Sequence, residues 1–351
     1  MEKIDLTKPV LVTGATGYVA GRLVEKLLAE GATIHAPVRS PDNKEKTKYL
    51  DELADKSSGS IKYFKADLLD EGSYDEAMKG CELVFHTASP FSLNVEDPQK
   101  DLVDPALKGT RNVLEAANRS ESVKRVVLTS SCAAIYGDAK DTLDMPNQTL
   151  TEEIWNTTSS LDHQPYSYSK TVAEKEAWKI ANAQDQWKLV TINPSFVVGP
   201  GINPHATSES FEIMKQVGRG DFKMGAPEFN IGCVDVRDLA NAHFLAGTKP
   251  DAEGRHIISA HNSSFMEIAA IIKEAYPNYP IATRKLPKFL LWLIAPSVGM
   301  TRKMVAKNIG YPWKADNSKS VQQLGVTYRP MKETIIEFFD QLVNAGVIEK
   351  K

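Results

Sequence analysis

Short apolar, β-branched runs alternate with helix-forming stretches through the first half of this 351-residue chain, and few folds accept that rhythm. The runs fall at residues 9–13, 33–40, 61–66, 82–86, 124–128 and 189–192. Between them apolar residues recur at helical spacing, as in 22–30, which stops at Gly31, and in 109–118, with Val113, Leu114, Ala116 and Ala117. Strand–helix alternation at this interval predicts an α/β fold built on a doubly wound parallel sheet. Ligands of such sheets bind beyond the carboxyl ends of the strands. Polar tips stand at those ends here: Thr13-Gly14, Arg39, Asp67-Leu68, Thr87-Ala88-Ser89, Thr129-Ser130-Ser131 and Asn193-Pro194-Ser195.

The first strand runs into Gly14-Ala15-Thr16-Gly17-Tyr18-Val19-Ala20-Gly21 and then into a helical pattern. Strand, glycine turn and helix form the context that a dinucleotide-binding turn requires. Gly14 permits the tight turn, and Gly17 lets main-chain N–H groups approach a pyrophosphate at the helix N-terminus. The spacing is Gly-x-x-Gly-x-x-Ala, with Ala20 where close helix–strand packing commonly takes a third glycine. Thr13, Gly14, Thr16, Gly17, Tyr18 and Val19 are therefore candidate cofactor contacts. At the end of the second strand an acid would select NAD, whereas an arginine accommodates the 2′-phosphate of NADP. Arg39 stands there with Lys46 close behind, which favours NADP(H); Asp42 is the residue that argues the other way.

Tyr166 and Lys170 are four residues apart at the start of a helix-forming run whose Ala173, Ala177, Ile180 and Ala181 mark one buried face. The phenol and the ammonium then share a side of the helix. A nearby cation favours phenolate, so Tyr166 is expected to have a lowered pKa and to pass a proton to a carbonyl oxygen, or take one from an alcohol.

Composition narrows the alternatives. Apolar content of 42% and charged content of 25% are ordinary for a globular protein. A net charge of −3, with Lys and Arg scattered, gives no argument for nucleic acid. Cys81, Cys132 and Cys233 are far apart and odd in number, so neither a disulfide framework nor a thiolate metal site is expected, and no metal is assigned. Reduced thiols and a polar start at residues 1–8 fit a cytoplasmic protein. The apolar run 289–295 is too short to span a membrane. It is read as a core helix, a dimer face or a membrane-surface contact.

After Pro200-Gly201 the alternation weakens, which divides the chain into a dinucleotide-binding domain over 1–195 and a smaller α/β substrate-binding cap over 196–351. Residues 231–236 and 256–259 read as strands, so that about 231–260 returns to the main domain. Helices are expected at 211–217, 238–246, 265–275 and 332–343. Phe91, Tyr136, Tyr168, Phe196 and Phe211 are candidates to line an apolar pocket.

Gly14-x-x-Gly17-x-x-Ala20, Val38-Arg39, Asp67-Leu68, His86 to Pro90, Thr129-Ser130-Ser131, Tyr166-x-x-x-Lys170 and Asn193-Pro194 occur in the order found in the extended short-chain dehydrogenases/reductases. The chain resembles that family over nearly its whole length, and within it the dihydroflavonol reductase, cinnamoyl-CoA reductase and yeast methylglyoxal (ketone) reductase group. The resemblance implies a Rossmann-type fold and a catalytic trio of Ser131, Tyr166 and Lys170, with Ser130 as the neighbour to distinguish from Ser131. It implies NADP(H) contacts at the turn residues, Arg39, Lys46, Asp67, Leu68, Thr87, Ala88, Ser89, Tyr166, Lys170, Pro194, Ser195 and Val197. It further implies reduction of a small aldehyde or ketone, and a homodimer is common in the superfamily. Tyr136 stands where the plant flavonoid reductases carry a substrate-holding asparagine, which argues against dihydroflavonols. Ser131-Cys132-Ala133 replaces the Thr-Asp-Glu run of the sugar-nucleotide dehydratases, which argues against dehydration. An NAD-dependent sugar-nucleotide epimerase and a noncatalytic NADP sensor are the competing readings.

Overall fold

The computed structural model describes residues 3–89 and 95–351; the pocket candidate Phe91 lies outside the described residues. Seven parallel strands form the main sheet: β1 (Val10–Thr13), β2 (Thr33–Val38), β3 (Ser60–Lys65), β4 (Leu83–His86), β5 (Arg125–Thr129), β6 (Lys188–Pro194) and β9 (Gly254–Ile258). Their spatial order is β3-β2-β1-β4-β5-β6-β9, so the order reverses between β1 and β4. Helices α1 (Tyr18–Ala29) and α7 (Val236–Thr248) cover one face. On the other lie α3 (Asp75–Met78), α4 (Asp104–Arg119) and α5 (Pro165–Ala181). Alternation along the strands explains the two layers. Val10, Val12 and Phe85 pack with Leu23, Leu27 and Leu239. Leu11, Val84 and Leu128 pack on the opposite side with Val113, Leu114, Ala177 and Ile180. Helix α2 (Lys44–Ala54) follows β2 and buries Thr47 and Leu50.

A second sheet of three strands stands beyond β6, in the order β10 (His261–Ser264), β8 (Asn230–Asp235), β7 (Phe196–Val198). This corrects one expectation: β9 joins the main sheet, but β8 does not. The chain leaves β6 at Pro194 and restarts as β7 at Phe196. At the single residue between, the Ser195 N–H still bonds the Ile258 carbonyl, 3.1 Å away. Because β9 occupies the edge of β6, β8 pairs with β7 instead, from Phe196↔Cys233 to Val198↔Asp235. Helices α6 (Glu209–Arg219), α8 (Phe265–Ala275) and α11 (Met331–Asn344) close a separate core around Phe211, Met214, Ile268, Phe338 and Phe339. The apolar run expected at 289–295 forms α9 (Lys288–Ile294), and Leu291 is its buried residue. It is therefore not a core helix. Leu291 packs with Ala295 and with Val305 of α10 (Arg302–Asn308).

What fixes α5 against the sheet is a buried carboxylate. Glu174 is fully buried one turn after Lys170. Its Oε1 accepts from Arg255 Nε at 2.7 Å and Thr191 Oγ1 at 3.2 Å; its Oε2 accepts from Asn193 Nδ2 at 2.7 Å and from the Ser130 hydroxyl. Those partners come from β9, β6 and the residue after β5. Arg255 in turn donates to the Glu152 and Ile154 carbonyls and lies 3.9 Å over the Trp155 ring. A buried ion pair is tolerated when both partners are fully hydrogen-bonded, and removing one partner strands the other charge. Glu174→Ala is expected to cost about 3–5 kcal/mol, read as a lower urea midpoint, with Glu174→Gln falling in between. An alanine variant that unfolds at the wild-type urea concentration would show that this network does not hold the helix.

Candidate active site

The turn after β1 is built for close main-chain approach. Gly14 has φ +66°, and a Cβ there would sit 2.9 Å from the Ala88 Cα, so a side chain is excluded on both counts. The Gly17 N–H bonds the Gly14 carbonyl at 2.8 Å, and Gly17 caps α1 without any side-chain acceptor. The first-turn N–H groups of α1 are thereby open to an anion. Thr13 is fully buried and pins β1 to β4: its hydroxyl accepts from the Thr87 and Ala88 N–H groups at 3.1 and 3.0 Å and meets His86 Nδ1 at 3.0 Å. The Thr87 hydroxyl returns a bond to the Thr13 carbonyl. These are the two strands between which the order reverses, where doubly wound sheets hold their ligands.

One hollow lies over this turn, lined by Thr16, Gly17, Tyr18, Lys46, Tyr49 and Asn203 among others. It brings Lys46 to the glycine turn. Arg39 follows β2 as an exposed side chain, and Asp42 is exposed as well. Tyr18 turns its side chain away: the hydroxyl donates to the Gly199 carbonyl at 2.6 Å, and the ring meets Phe211 edge-on at 5.1 Å. Its N–H in the first turn of α1 is what remains for a ligand, as for half-buried Val19.

A second hollow is lined by Leu68, His86, Ala88, Ser89, Thr129, Ser130 and Lys170, from the ends of β3, β4 and β5 and from α5. Asp67 accepts from the Leu69 N–H at 2.9 Å, and the Asn112 amide donates to the Asp67, Leu68 and Asp70 carbonyls, which shapes this wall. Lys170 Nζ donates to Ser89 Oγ at 2.9 Å. Burial lowers the lysine to about 8, opposed by Glu174. His86, brought down to about 3 by burial and then by Lys170, is a neutral imidazole between Thr13 and the lysine. Pro194, Ser195 and Val197 lie along the crossover from β6 to β7, outside both hollows.

The two serines divide cleanly. Ser130 is 6% exposed and points inward to Glu174. Ser131 is half-buried, accepts from the Ala133 N–H at 3.1 Å, and stands close enough to the Tyr166 phenol to favour its ionised form. Gln164, at φ 57°, turns the chain into α5 just ahead of Tyr166. The expectation of an acidified phenol is reversed. Tyr166 as a whole is 45% exposed, yet desolvation first, and Glu209 second, push its phenol up to about 12, and Ser131 works against them. Lys170 does not lower it: its Nζ is 5.8 Å from the ring centroid and is engaged with Ser89. Sequence reasoning missed Glu174, although its place one turn after Lys170 on the alanine face was a usable signal. It also missed Glu209, the first residue of α6, for which no local signal exists. Of the expected pocket aromatics, Phe211 is fully buried in the second core, and Tyr136 packs edge-on against Trp313 at 6.1 Å.

Residues 10–259 match the NAD dependent epimerase/dehydratase family. A cinnamoyl-CoA reductase of Medicago truncatula is 36% identical over 347 residues, 97% of this chain and 98% of the relative. An anthocyanidin reductase of Vitis vinifera is 35% identical over 287 residues, 79% of this chain and 83% of that one. The crystal structure of yeast methylglyoxal/isovaleraldehyde reductase complexed with NADPH superposes with a TM-score of 0.80 at 28% identity, covering 97% and 99% of the two chains. The chain therefore belongs to the NAD dependent epimerase/dehydratase family, the extended short-chain dehydrogenases/reductases, in the group that holds the cinnamoyl-CoA, anthocyanidin and yeast methylglyoxal reductases.

Proposed function

We propose that this protein is an NADPH-dependent reductase of aldehydes or ketones in which Tyr166 delivers the proton. The observation that carries this is the meeting of Ser131 with Tyr166, on the same helix as a Lys170 already engaged at the end of β4. The relatives are reductases by name, and the yeast neighbour holds NADPH. The cofactor fits these residues: Gly14, at φ +66° and packed on Ala88, shapes the tight turn, and the α1 N-terminus, capped by no side chain, offers donors to a pyrophosphate. Lys46 beside the turn, with Arg39 at the end of β2, offers cations to a 2′-phosphate.

Bound NADPH would supply the hydride. Ser131 and Tyr166 would hold the carbonyl oxygen by hydrogen bonds that strengthen as negative charge develops on it. A phenol pushed up to about 12 stays protonated at neutral pH, which is the form reduction requires. Its proton then passes to an alkoxide, a stronger base. Lys170, cationic below about pH 8, would hold the ribose hydroxyls with the donors that Ser89 leaves free.

Tyr166→Phe is expected to lower kcat by roughly 10²–10⁴-fold in an NADPH-oxidation assay, with NADPH binding by fluorescence titration nearly unchanged. NADPH binding without oxidation of the cofactor across a panel of aliphatic and aromatic aldehydes, diketones and ketosteroids would sink the reading. The pH dependence has a definite sign: NADPH affinity should weaken as pH rises above neutrality through about 8, because Lys170 loses its proton there. Lys170→Met should remove that limb altogether. Arg39→Glu with Lys46→Glu is expected to shift the NADPH-to-NADH preference in kcat/KM by at least about tenfold toward NADH; an unchanged ratio would detach both residues from cofactor choice.

A further inference from the structure

The corner built by α9 and α10 plays no part in the proposed reaction, and its surface is unusual in two independent respects. It is apolar on the outside. Phe289 is 65% exposed, Leu293 54%, Ile294 43% and Trp292 40%, while Val298 at 52% extends the same surface. Leu291 and Ala295 anchor α9 to Val305 and Ile309 beneath it, leaving these side chains facing outward. Met224, 69% exposed, lies on the same flank, where its carbonyl accepts from Arg284.

The corner is also basic. Between Glu274 and Asp316 the sequence contains no acid, in a chain whose net charge is −3. Arg284, Lys285, Lys288, Arg302, Lys303 and Lys307 all fall in that interval. Glu228 reaches across to Lys285, Asp138 pairs with Lys307, and Lys288 donates to the Ala306 and Ile309 carbonyls. Among the described residues Arg284, Arg302 and Lys303 have no carboxylate partner, and the Arg302 guanidinium lies 4.6 Å over the Trp292 ring. Exposed Phe, Leu and Trp flanked by unneutralised Arg and Lys are the composition of an element that lies in a lipid headgroup layer.

We propose that this corner docks the protein on an anionic membrane surface. Phe289, Trp292 and Leu293 enter the headgroup boundary, and Arg302 and Lys303 meet lipid phosphates. A second copy of the chain is a poorer match. A two-fold contact would set Arg302 and Lys303 of one copy against an equally basic face, with no acid in the segment to receive them. An anionic bilayer satisfies the apolar and the cationic groups together.

The test uses the full-length protein and sedimentation with sucrose-loaded vesicles of phosphatidylcholine alone, or of phosphatidylcholine mixed with phosphatidylglycerol. Binding is expected to the mixed vesicles, much less to the neutral ones, and to weaken as salt is raised to roughly 0.5 M. Phe289→Ser with Leu293→Ser, and separately Arg302→Glu with Lys303→Glu, should each lower the bound-to-free ratio roughly tenfold or more. Wild-type melting temperatures would show that both variants fold. Protein that stays in the supernatant with the mixed vesicles, or binding that neither variant weakens, would overturn the proposal. So would a vesicle-free dimer in sedimentation velocity that Phe289→Ser with Leu293→Ser dissociates, since a second copy would then be what covers the corner.

Discussion

The carboxylate of Glu174 is the point on which the geometry of the site hangs. It lies on the face of α5 that also carries Ala173 and Ala177, where a charged side chain is out of place unless it is fully paired. Arg255 supplies the countercharge from the last strand of the sheet, and Asn193, Thr191 and Ser130 supply further donors. The helix is thus held to β6, β9 and the end of β5 at one depth. Lys170 stands one turn nearer the helix start and Tyr166 one turn further. By holding Ser130 inward, the network leaves Ser131 for Tyr166, and the Asn193 amide also donates to the Ser131 carbonyl at 3.1 Å. Register and side-chain direction at the strand end are set by the same charge.

Electrostatics at the cleft follow from burial more than from pairing. Phenol and ammonium both move toward their neutral forms, the first upward and the second downward, as desolvation dictates for groups of opposite charge type. The two effects have different consequences. The phenol stays a competent acid across the physiological range. The lysine stands near its transition, with Glu174 the group that retains its charge. The result is a phenol that stays protonated at residue 166 and a titratable cation at residue 170.

Much of this was legible in the sequence because it rests on local pattern. The first six strands, the glycine turn and the helix after Pro165 are each specified by residues close together in the chain, and the structure has them in those places. The errors have a common cause, which is that they depend on partners far away. β8 reads as a strand, but whether it joins β6 or β7 is decided by β9 already occupying the edge of β6. The spacing predicts a lowered Tyr166 pKa because Lys170 is four residues along, but that lysine donates to Ser89, in the segment after β4. Glu209 is nearly invisible in sequence, an acid at a helix start that faces Tyr166 only through the tertiary fold. Phe211 is a candidate to line an apolar pocket, but its helical face belongs to the second core.

That last residue shows how the two lobes are joined. Tyr18, in the first turn after the glycines, donates to Gly199 and packs its ring against Phe211 of α6 and Phe338 of α11. Arg22, one turn later, donates to the Pro200 carbonyl, and the Gln341 amide pairs with both main-chain groups of Gly201. The helix that follows the glycine turn is therefore bolted to the helix that begins with Glu209, the acid that helps raise the Tyr166 phenol. The two ends of the cleft share one mechanical element. Tyr18 accordingly matters to the site through its ring and hydroxyl as a joint between the lobes, a role that its position in a glycine-rich turn does not announce.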